Sequence, residues 1–438
     1  MPGLRQVLAH RRDLRLVLTA GLVSTAGDWI LVTGLGYSVY ALTGSTVASA
    51  VAVMATFAPQ VLLGPIAGVF ADRWGRKRTM VTTNVLLALG LLPLMAVRHA
   101  NQVWIVVAVL VWEGAVRQFF APAEQALLPR LVDDSELITA NALVGQSRDL
   151  SRLVGAAAGG VIAAAGGIGA VALADAGSFA VAAVLIRFVH ATGQVEQHLS
   201  RHVRDVVQEL ADGLRFVARR NALRTLMVFV LLSSIGEGVM GTLFAPFVRH
   251  VLHGDSQAYG LIAAVQAIGG ILGGLAVASL GQRIPPQRML AFGAVTFGAV
   301  DLAIFLYPLG YTALWPVAVC MVLAGLPGAL TIAGLYTLFQ QHTTDDYRGR
   351  VFGALASLEG VCQLAATFAA GYLGQVLGII PVIAVQGVCY VVAGFAVLFA
   401  LPDSGARRSP EAEAVAACEI TGAVQSAGGG SGLVETPY

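Results

Sequence analysis

Gly68-Val69-Phe70-Ala71-Asp72-Arg73-Trp74-Gly75-Arg76-Lys77-Arg78 is a short, strongly charged turn set between two long apolar runs. Each run is long enough to cross a bilayer, so the turn sits where water begins. Asp72, Arg73, Arg76 and Lys77 stay solvated there, while Gly68 and Gly75 allow close helix approach and a tight reversal. Composition extends this reading to the whole chain. Its 438 residues are 57% hydrophobic and 12% charged, with 51 glycines and a mean hydropathy of +0.76, outside the range of soluble globular domains.

Runs of roughly 18 or more apolar residues mark membrane-crossing helices. They lie near Leu14 to Leu42, Thr46 to Phe70, Thr79 to Ala96, Val103 to Phe120, Leu137 to Ala165 and Ile168 to Val189. A second set lies near Ala222 to Val248, Tyr259 to Leu280, Met289 to Tyr307, Ala313 to Leu338, Val351 to Leu373 and Ile380 to Leu401. The expected fold is all-α: a polytopic membrane protein of twelve transmembrane helices in two halves of six. Residues 1–190 form the first half, 191–221 a cytoplasmic linker, 222–401 the second half and 402–438 a tail. In the linker, Val203, Val206, Val207, Leu210, Leu214 and Val217 recur at helical spacing among charges, predicting an amphipathic helix at the membrane surface or a plain connector. The tail is rich in Ala, Gly, Ser and Glu, a composition that predicts disorder.

Basic residues in short loops stay on the cytoplasmic side. Arg5, Arg11, Arg12 and Arg15 precede the first run, Arg73 to Arg78 follow the second, and Arg201, Arg204, Arg215, Arg219, Arg220 and Arg224 lie between the sixth and seventh. Arg283, Arg288, Arg348, Arg350, Arg407 and Arg408 continue the same side, and the opposite loops hold little beyond Arg98 and Arg249. Both termini are therefore expected in the cytoplasm. The first run is too long for a signal-peptide core and is read as a retained span.

The charged turn resembles the loop after the second span of the major facilitator superfamily, G-x-L-A-D-R-x-G-R-K, with Phe70 in place of the Leu. Weak internal symmetry agrees: Leu131-Val132-Asp133-Asp134-Ser135 enters the fifth run, His342 to Val351 the eleventh, and Gly281 to Arg288 is a degraded counterpart of the first turn. Phe120-Ala121-Pro122-Ala123, Ala126 to Pro129, Ala140-Asn141-Ala142, Glu209 to Phe216 and Arg348-Gly349-Arg350-Val351 look like the exporter branch containing macrolide efflux proteins and the enterobactin exporter. The resemblance implies a transporter and no enzyme, with pseudo-symmetric halves and substrate between them near the bilayer midplane. It implies that Asp72 pairs with basic groups and with the positive end of the eleventh helix, near Arg348, Gly349 and Arg350, closing the cytoplasmic side. It also makes Arg117 the candidate for the proton-linked arginine of the fourth span. Gly155-Ala156-Ala157-Ala158-Gly159-Gly160 is similar to the antiporter stretch G-P-x-x-G-G, with Ala156 replacing the proline; such glycines also serve close packing.

Charges inside the runs are the residues that need a reason. An acid or guanidinium at a helix centre costs about 2.5 to 3.5 kcal/mol on insertion scales, so it calls for a partner, a watery cavity or a task. Asp28 stands mid-run in the first helix and Glu237, its symmetry mate, in the seventh. A carboxylate facing a poorly hydrated cavity can load a proton from one side and release it to the other, or serve only as an interhelical hydrogen-bond partner. Glu113 and Arg117 are four apart on one face of the fourth helix, and Arg148, Asp149 and Arg152 lie on the fifth, so a buried, mutually neutralising cluster is expected. Asp175, Asp301 and Glu359 are also intramembrane; the first two lie nearer the outer end, where they are expected to reach water.

Lys77 is the only lysine, so no G-x-x-x-x-G-K-[ST] phosphate loop exists and ATP is not expected to bind this chain in that way. The eight histidines fall in loops or at run ends, and Cys320, Cys362, Cys389 and Cys418 are scattered, so neither a metal site nor a cofactor is expected. The arginines follow membrane topology rather than a nucleic-acid surface. Expected partners are a small molecule, protons and the lipid bilayer. The reading is a secondary active transporter of a bacterial inner membrane that exchanges protons for a small amphipathic molecule through an apolar, aromatic pocket. Asp28 and Glu237 are its expected polar contacts, and Phe244, Gln266 and Tyr336 candidate lining. A siderophore or lipid-like metabolite exporter is the near alternative; an importing symporter and a non-transporting receptor are the distant ones.

Overall fold

The computed structural model describes residues 11–71, 75–133, 136–190, 203–280, 284–343 and 345–401; some side chains within them, including those of 64–71, 137–139, 203–210 and 345–350, lie outside the description. Among the described residues all regular structure is helical. Lipid offers the backbone no hydrogen-bond partner, so each apolar run satisfies its own N–H and C=O groups by coiling. The first four helices are α1 (Arg12–Thr43), α2 (Thr46–Ala71), α3 (Arg76–Leu91, prolonged by a 3-10 turn to Ala96) and α4 (Val103–Leu127).

The next helical stretch, Leu137–Arg187, has 51 residues, more than twice what a bilayer needs. Gly167 inside it has φ 60° and ψ −158°, a conformation open to glycine, and the chain reverses there. Contacts with α1 show the reversal. Ser151 bonds to Leu22 O, and at Gly155 and Gly159 a Cβ would stand 2.4 and 2.7 Å from Ala26 O and Ile30 O, so this arm runs parallel to α1. Beyond Gly167, Val171 lies against Gly34 and Ser178 against Gly27, so the second arm runs antiparallel. The arms are named α5 (137–166) and α6 (168–187). Eleven described helices are long and apolar enough to cross a membrane, and this one crosses twice, which gives the twelve expected spans.

The rest of the chain forms α7 (Val203–Ala218), α8 (Asn221–Pro246), α9 (Ser256–Leu280), α10 (Pro286–Leu306), α11 (Trp315–His342), α12 (Asp345–Val376) and the last span, α13 (Ile379–Ile383) with α14 (Val385–Ala400). Helix α7 has the expected amphipathic pattern and packs against α12. Its Val217 is buried with Leu223 and Leu226, while Arg220 lies over the Phe216 ring at 4.3 Å and donates to His342 O at 3.0 Å. It is thus fastened to the second set of spans.

The two sets meet at the end of the bundle away from the chain ends, here called the distal end. There α5 and α9 touch backbone to backbone: a Cβ at Gly160 would stand 2.4 Å from Ser256 O, and one at Gly260 2.7 Å from Ala156 O. The glycine-rich stretch therefore holds α5 against α1 on one side and α9 on the other. Thr46 Oγ1 donates to Gly371 O at 2.7 Å, tying α2 to α12. Tyr37 donates to Gly254 O at 3.3 Å and accepts from Arg249 at 2.7 Å, tying α1 to the stretch after α8. Toward the opposite end, where α1 begins and α14 ends, nothing described stands within 4 Å of the Cβ positions of Gly145 on α5 or Gly270 and Gly274 on α9. The interface of α5 and α9 is closed distally and parts toward the terminal end.

Candidate functional site

Helix α1 presents Asp28 and helix α4 presents Glu113 and Arg117, one turn apart. The Arg117 guanidinium pairs with the Asp28 carboxylate, and its Nε lies 3.3 Å from Glu113 Oε1. The acids are enclosed, with side chains 15% and 10% exposed, while Arg117 keeps 39% of its surface open. The opening is a cavity of about 450 Å³ among α1 to α6. Asp28, Glu113 and Arg117 stand on its wall with Ser24, Thr25, Gln60, Asn84 and Gln118. The expected apolar and aromatic wall is therefore a mixed one, rich in hydroxyl and amide groups.

A third carboxylate completes the group. Asp175 of α6 is 0% exposed because Gly27 has no side chain, which lets α6 lie directly on α1: a Cβ at Gly27 would stand 2.3 Å from Asp175 Oδ1. Asp175 Oδ1 accepts from Ser178 Oγ at 3.0 Å, and Oδ2 has no hydrogen-bond partner among the described residues. Asp175 is close enough to act electrostatically on Asp28, Glu113 and Arg117. One guanidinium thus pairs with two acids, with a third carboxylate nearby.

The second half repeats the backbone theme with other groups. Gly236-Glu237 of α8 matches Gly27-Asp28 of α1, and Gly236 lies against Gln386 of α14 as Gly27 lies against Asp175 and Ser178 of α6. Glu237 Oε1 accepts from the Tyr390 hydroxyl at 2.7 Å, and the Tyr390 ring is fixed by Phe297, with centroids 4.7 Å apart, and by Phe229. Asp301 of α10 is 3% exposed, and its Oδ2 has no hydrogen-bond partner among the described residues. Between the halves, Arg152 of α5 lies 5.0 Å over the Trp29 ring and donates to Gln266 Oε1 of α9 at 2.7 Å.

The structure brings Asp28, Glu113 and Arg117 together and leaves Glu237 in a separate site. Arg148, Asp149 and Arg152 do not form the expected buried cluster. Arg148 and Asp149 are exposed, Arg148 reaching Glu124 at 3.6 Å on the cavity side, and Arg152 turns to Trp29 and Gln266. Asp149 lies about 100° round the helix from Arg148, and Arg152, one turn on from Arg148, is held instead by Trp29 and Gln266. Asp175 and Asp301, expected to reach water, are buried because α6 packs directly on α1 at Gly27 and α10 packs directly on α14 at Gly298 and Gly387. Phe244 packs with Tyr259 and Phe247 in the distal core, Tyr336 stacks on Phe352, and Gln266 holds Arg152; none lies on the cavity wall. Asp72 and Arg73 lie outside the described residues, and so do the side chains near Gly68 and those of Arg348 and Arg350, whose neighbour Gly349 opens α12 with them. Gly75 caps α3, Arg76 begins it, and Lys77 donates to Val189 O at 2.5 Å, joining α3 to the end of α6. Sequence reasoning missed Glu124, Tyr390 and Gln386, of which only the shared Gly-acid step of α1 and α8 gave a hint, by pointing to whatever faces those glycines.

A twelve-span bundle of two glycine-packed halves, with a charged, open-sided cavity among the helices of the first half, defines a membrane transporter. The family model for transmembrane secretion effectors, MFS_3, matches residues 9–430, and the chain belongs to this family of major facilitator transporters. The multidrug efflux pump Tap of Mycobacterium tuberculosis is 28% identical over 387 residues, covering 84% of this chain and 87% of its own. The uncharacterized MFS-type transporter YfiS of Bacillus subtilis is 24% identical, covering 92% and 97%. A bacterial homologue of the iron transporter ferroportin, solved in its inward-facing state, superposes with a TM-score of 0.72 at 16% identity, covering 89% of this chain and 98% of its own. The last comparison supports the fold alone.

Proposed function

We propose that this transporter exports a small amphipathic molecule from a bacterial cytoplasm across the inner membrane in exchange for protons, by alternating access. The observation that carries the reading is the Asp28–Arg117–Glu113 group on the cavity wall. An excess of carboxylates over guanidinium gives it room to hold a proton, and the open side of Arg117 lets a substrate compete for the same ion pair. Substrate and proton then occupy the site in turn, which is the requirement of exchange. Export is the direction carried by the likeness to Tap. The distribution of arginines sets both termini in the cytoplasm; with that orientation the distal seal faces outward and the described conformation is inward-facing. In the outward-facing state, Asp72 closes the cytoplasmic end against the start of α12.

The test uses the full chain in proteoliposomes with an imposed pH gradient, screened with cationic, neutral and zwitterionic amphipathic dyes. Proton-driven movement of at least one dye class out of the cytoplasmic-side compartment is expected, with Asp28→Asn abolishing the drive while binding stays measurable by fluorescence. Undiminished export by Asp28→Asn and by Glu113→Gln would overturn the coupling role.

A further inference from the structure

A second cavity, of about 630 Å³, stands over the distal seal and is shared by both halves. Tyr37 and Tyr40 near the end of α1 supply one wall; Arg249, His250, His253 and Asp255, in the stretch between α8 and α9, supply the other. The two tyrosines are buried and form a floor, whereas the four residues opposite are exposed at the distal end. The seams between the halves lie to either side. Tyr259 of α9 has its ring centroid 6.2 Å from that of Tyr37, and Gly44, on the other rim, comes just before the Thr46 tie of α2 to Gly371 of α12. The cavity thus opens to water between the seams rather than to lipid.

The stretch that carries the basic groups is firmly held and unusually shaped. Phe247 and Val248 are 0% exposed in the core around Phe305, and residues 247–251 make a π turn in which Leu252 N–H reaches Phe247 O at 3.1 Å. Gly254 N–H then returns to Val248 O at 2.8 Å, and His253 has φ 54°, alone in the left-handed region among the described non-glycine residues. Both features cost stability and concentrate at ligand sites and switches. Here they bring Arg249, His250 and His253 to one space. Arg249 lies 5.4 Å over the Tyr37 ring and gives the Tyr37 hydroxyl one hydrogen bond, at 2.7 Å, from a guanidinium that carries five N–H donors. Each imidazole offers a further N–H, and α9 begins at the cavity edge with the positive end of its dipole. The acid on the wall, Asp255, is turned to capping α9, its Oδ1 accepting from Ala258 N–H at 2.8 Å. His250, His253 and Asp255 do not converge as metal ligands: among the described residues no group of three His, Cys, Asp or Glu does. The chemistry is that of an anion site.

We propose that this cavity binds a small organic anion from the distal side, and that the anion holds the distal seal shut. The guanidinium fork of Arg249 matches a carboxylate, and the imidazoles add donors. The volume lies within the usual range of small-molecule pockets and leaves room for an organic body over Tyr40. The site is complete only while the halves meet, because one wall belongs to α1 and the other to the stretch after α8. Parting of the distal ends breaks the Tyr37 bonds to Arg249 and Gly254 and takes the walls apart. A ligand held by both walls favours the closed state by its differential affinity, and opening weakens its binding by the same factor. Resting on the alternating-access reading above, this site is separate from the Asp28–Arg117–Glu113 cavity and gives control from the receiving side: an anion accumulating there slows further export.

The experiment titrates phthalate and citrate, with neutral phthalamide as control, into the full chain in phosphatidylcholine nanodiscs at constant ionic strength, and reads binding by calorimetry. Saturable binding of at least one anion, and none of phthalamide, is expected. Arg249→Gln should weaken it about ten- to hundredfold, the size of a lost charge-assisted hydrogen bond. Tyr37→Phe, which removes the same seal bonds but keeps the guanidinium, should weaken it less. Gly260→Val, which props the seal without touching the cavity wall, should weaken it too. Gly371→Val, where a Cβ would run into Ala50, props the other seam and serves if Gly260→Val does not fold. In proteoliposomes the binding anion should slow dye export from the distal side and leave it unchanged from the terminal side. No saturable binding of either anion, or an affinity unchanged by Arg249→Gln or by the seal variants, would overturn the proposal. Loss of anion binding when phosphatidylglycerol is added to the nanodisc would overturn the soluble occupant in favour of a lipid headgroup. Anion binding with these variant effects, in a chain that exports no dye, would overturn the export reading and leave this site standing.

Discussion

Tyr390 of α14 donates a 2.7 Å hydrogen bond to Glu237 Oε1, whereas the matching acid of the first half, Asp28, is paired by Arg117 of α4. A phenol supplies a proton donor but no charge, so the two mid-membrane acids differ in electrostatic setting although their backbones match.

Replacing Tyr390 by Phe removes that donor and keeps the ring on Phe297. A buried hydrogen bond of this kind contributes about 0.5 to 1.5 kcal/mol, and more when the acceptor is charged. Thermal unfolding of the purified chain in detergent should register a loss of that size. An unchanged melting curve would show that Glu237 finds another donor.

Removing Arg117 should harm the chain more than removing the acids with it. Arg117→Gln leaves Asp28, Glu113 and Asp175 facing one another without a cation, an arrangement that costs about 3 to 5 kcal/mol for a fully buried pair and less here, because the cavity wets one side. Arg117→Gln together with Asp28→Asn should recover part of the loss. A double variant no more stable than Arg117→Gln alone would show that the pair does not govern stability.

Gly260→Val places a branched side chain where Ala156 O and the Gly160 backbone already stand within 3 Å of a Cβ. The distal ends of α5 and α9 cannot then meet, and cysteine-reactive probes should label distal positions in a larger fraction of molecules while transport falls. Labelling unchanged from the native chain would mean that the seal lies elsewhere.

Asp72→Asn should leave the chain folded but shift it toward the state described here, because the gate it is proposed to form belongs to the opposite state. Accessibility of single cysteines on the two faces measures this. Equal accessibility in variant and native protein would remove Asp72 from gating.

The bundle was readable from the sequence because lipid imposes one rule on every segment, and apolar runs near 18 residues satisfy it by becoming helices. Even the reversal between Ala165 and Ile168 was legible, since Gly166-Gly167 interrupts the run where Gly167 takes φ 60°. The pairing of charges was less so. Glu113 and Arg117 follow from helical spacing, but Asp28 meets Arg117 only through the tertiary path of α4, and Asp175 meets them because a glycine on α1 leaves space. Arg148, Asp149 and Arg152 differ for the same reason: tertiary partners decide, Arg152 being taken by Trp29 and Gln266 while Arg148 and Asp149 stay exposed.

The fold-back at Gly167 has a mechanical consequence. Its two arms lie along neighbouring faces of α1, one running with it and one against it, like two ropes lashed to a mast. Backbone-close contacts at Gly155, Gly159, Gly27 and Gly34 leave no slack for α1 to slide past either arm. Asp28, Asp175 and Arg152 must therefore travel as cargo on one stiff frame, and any rearrangement of the transporter has to be made at its seams rather than within that frame.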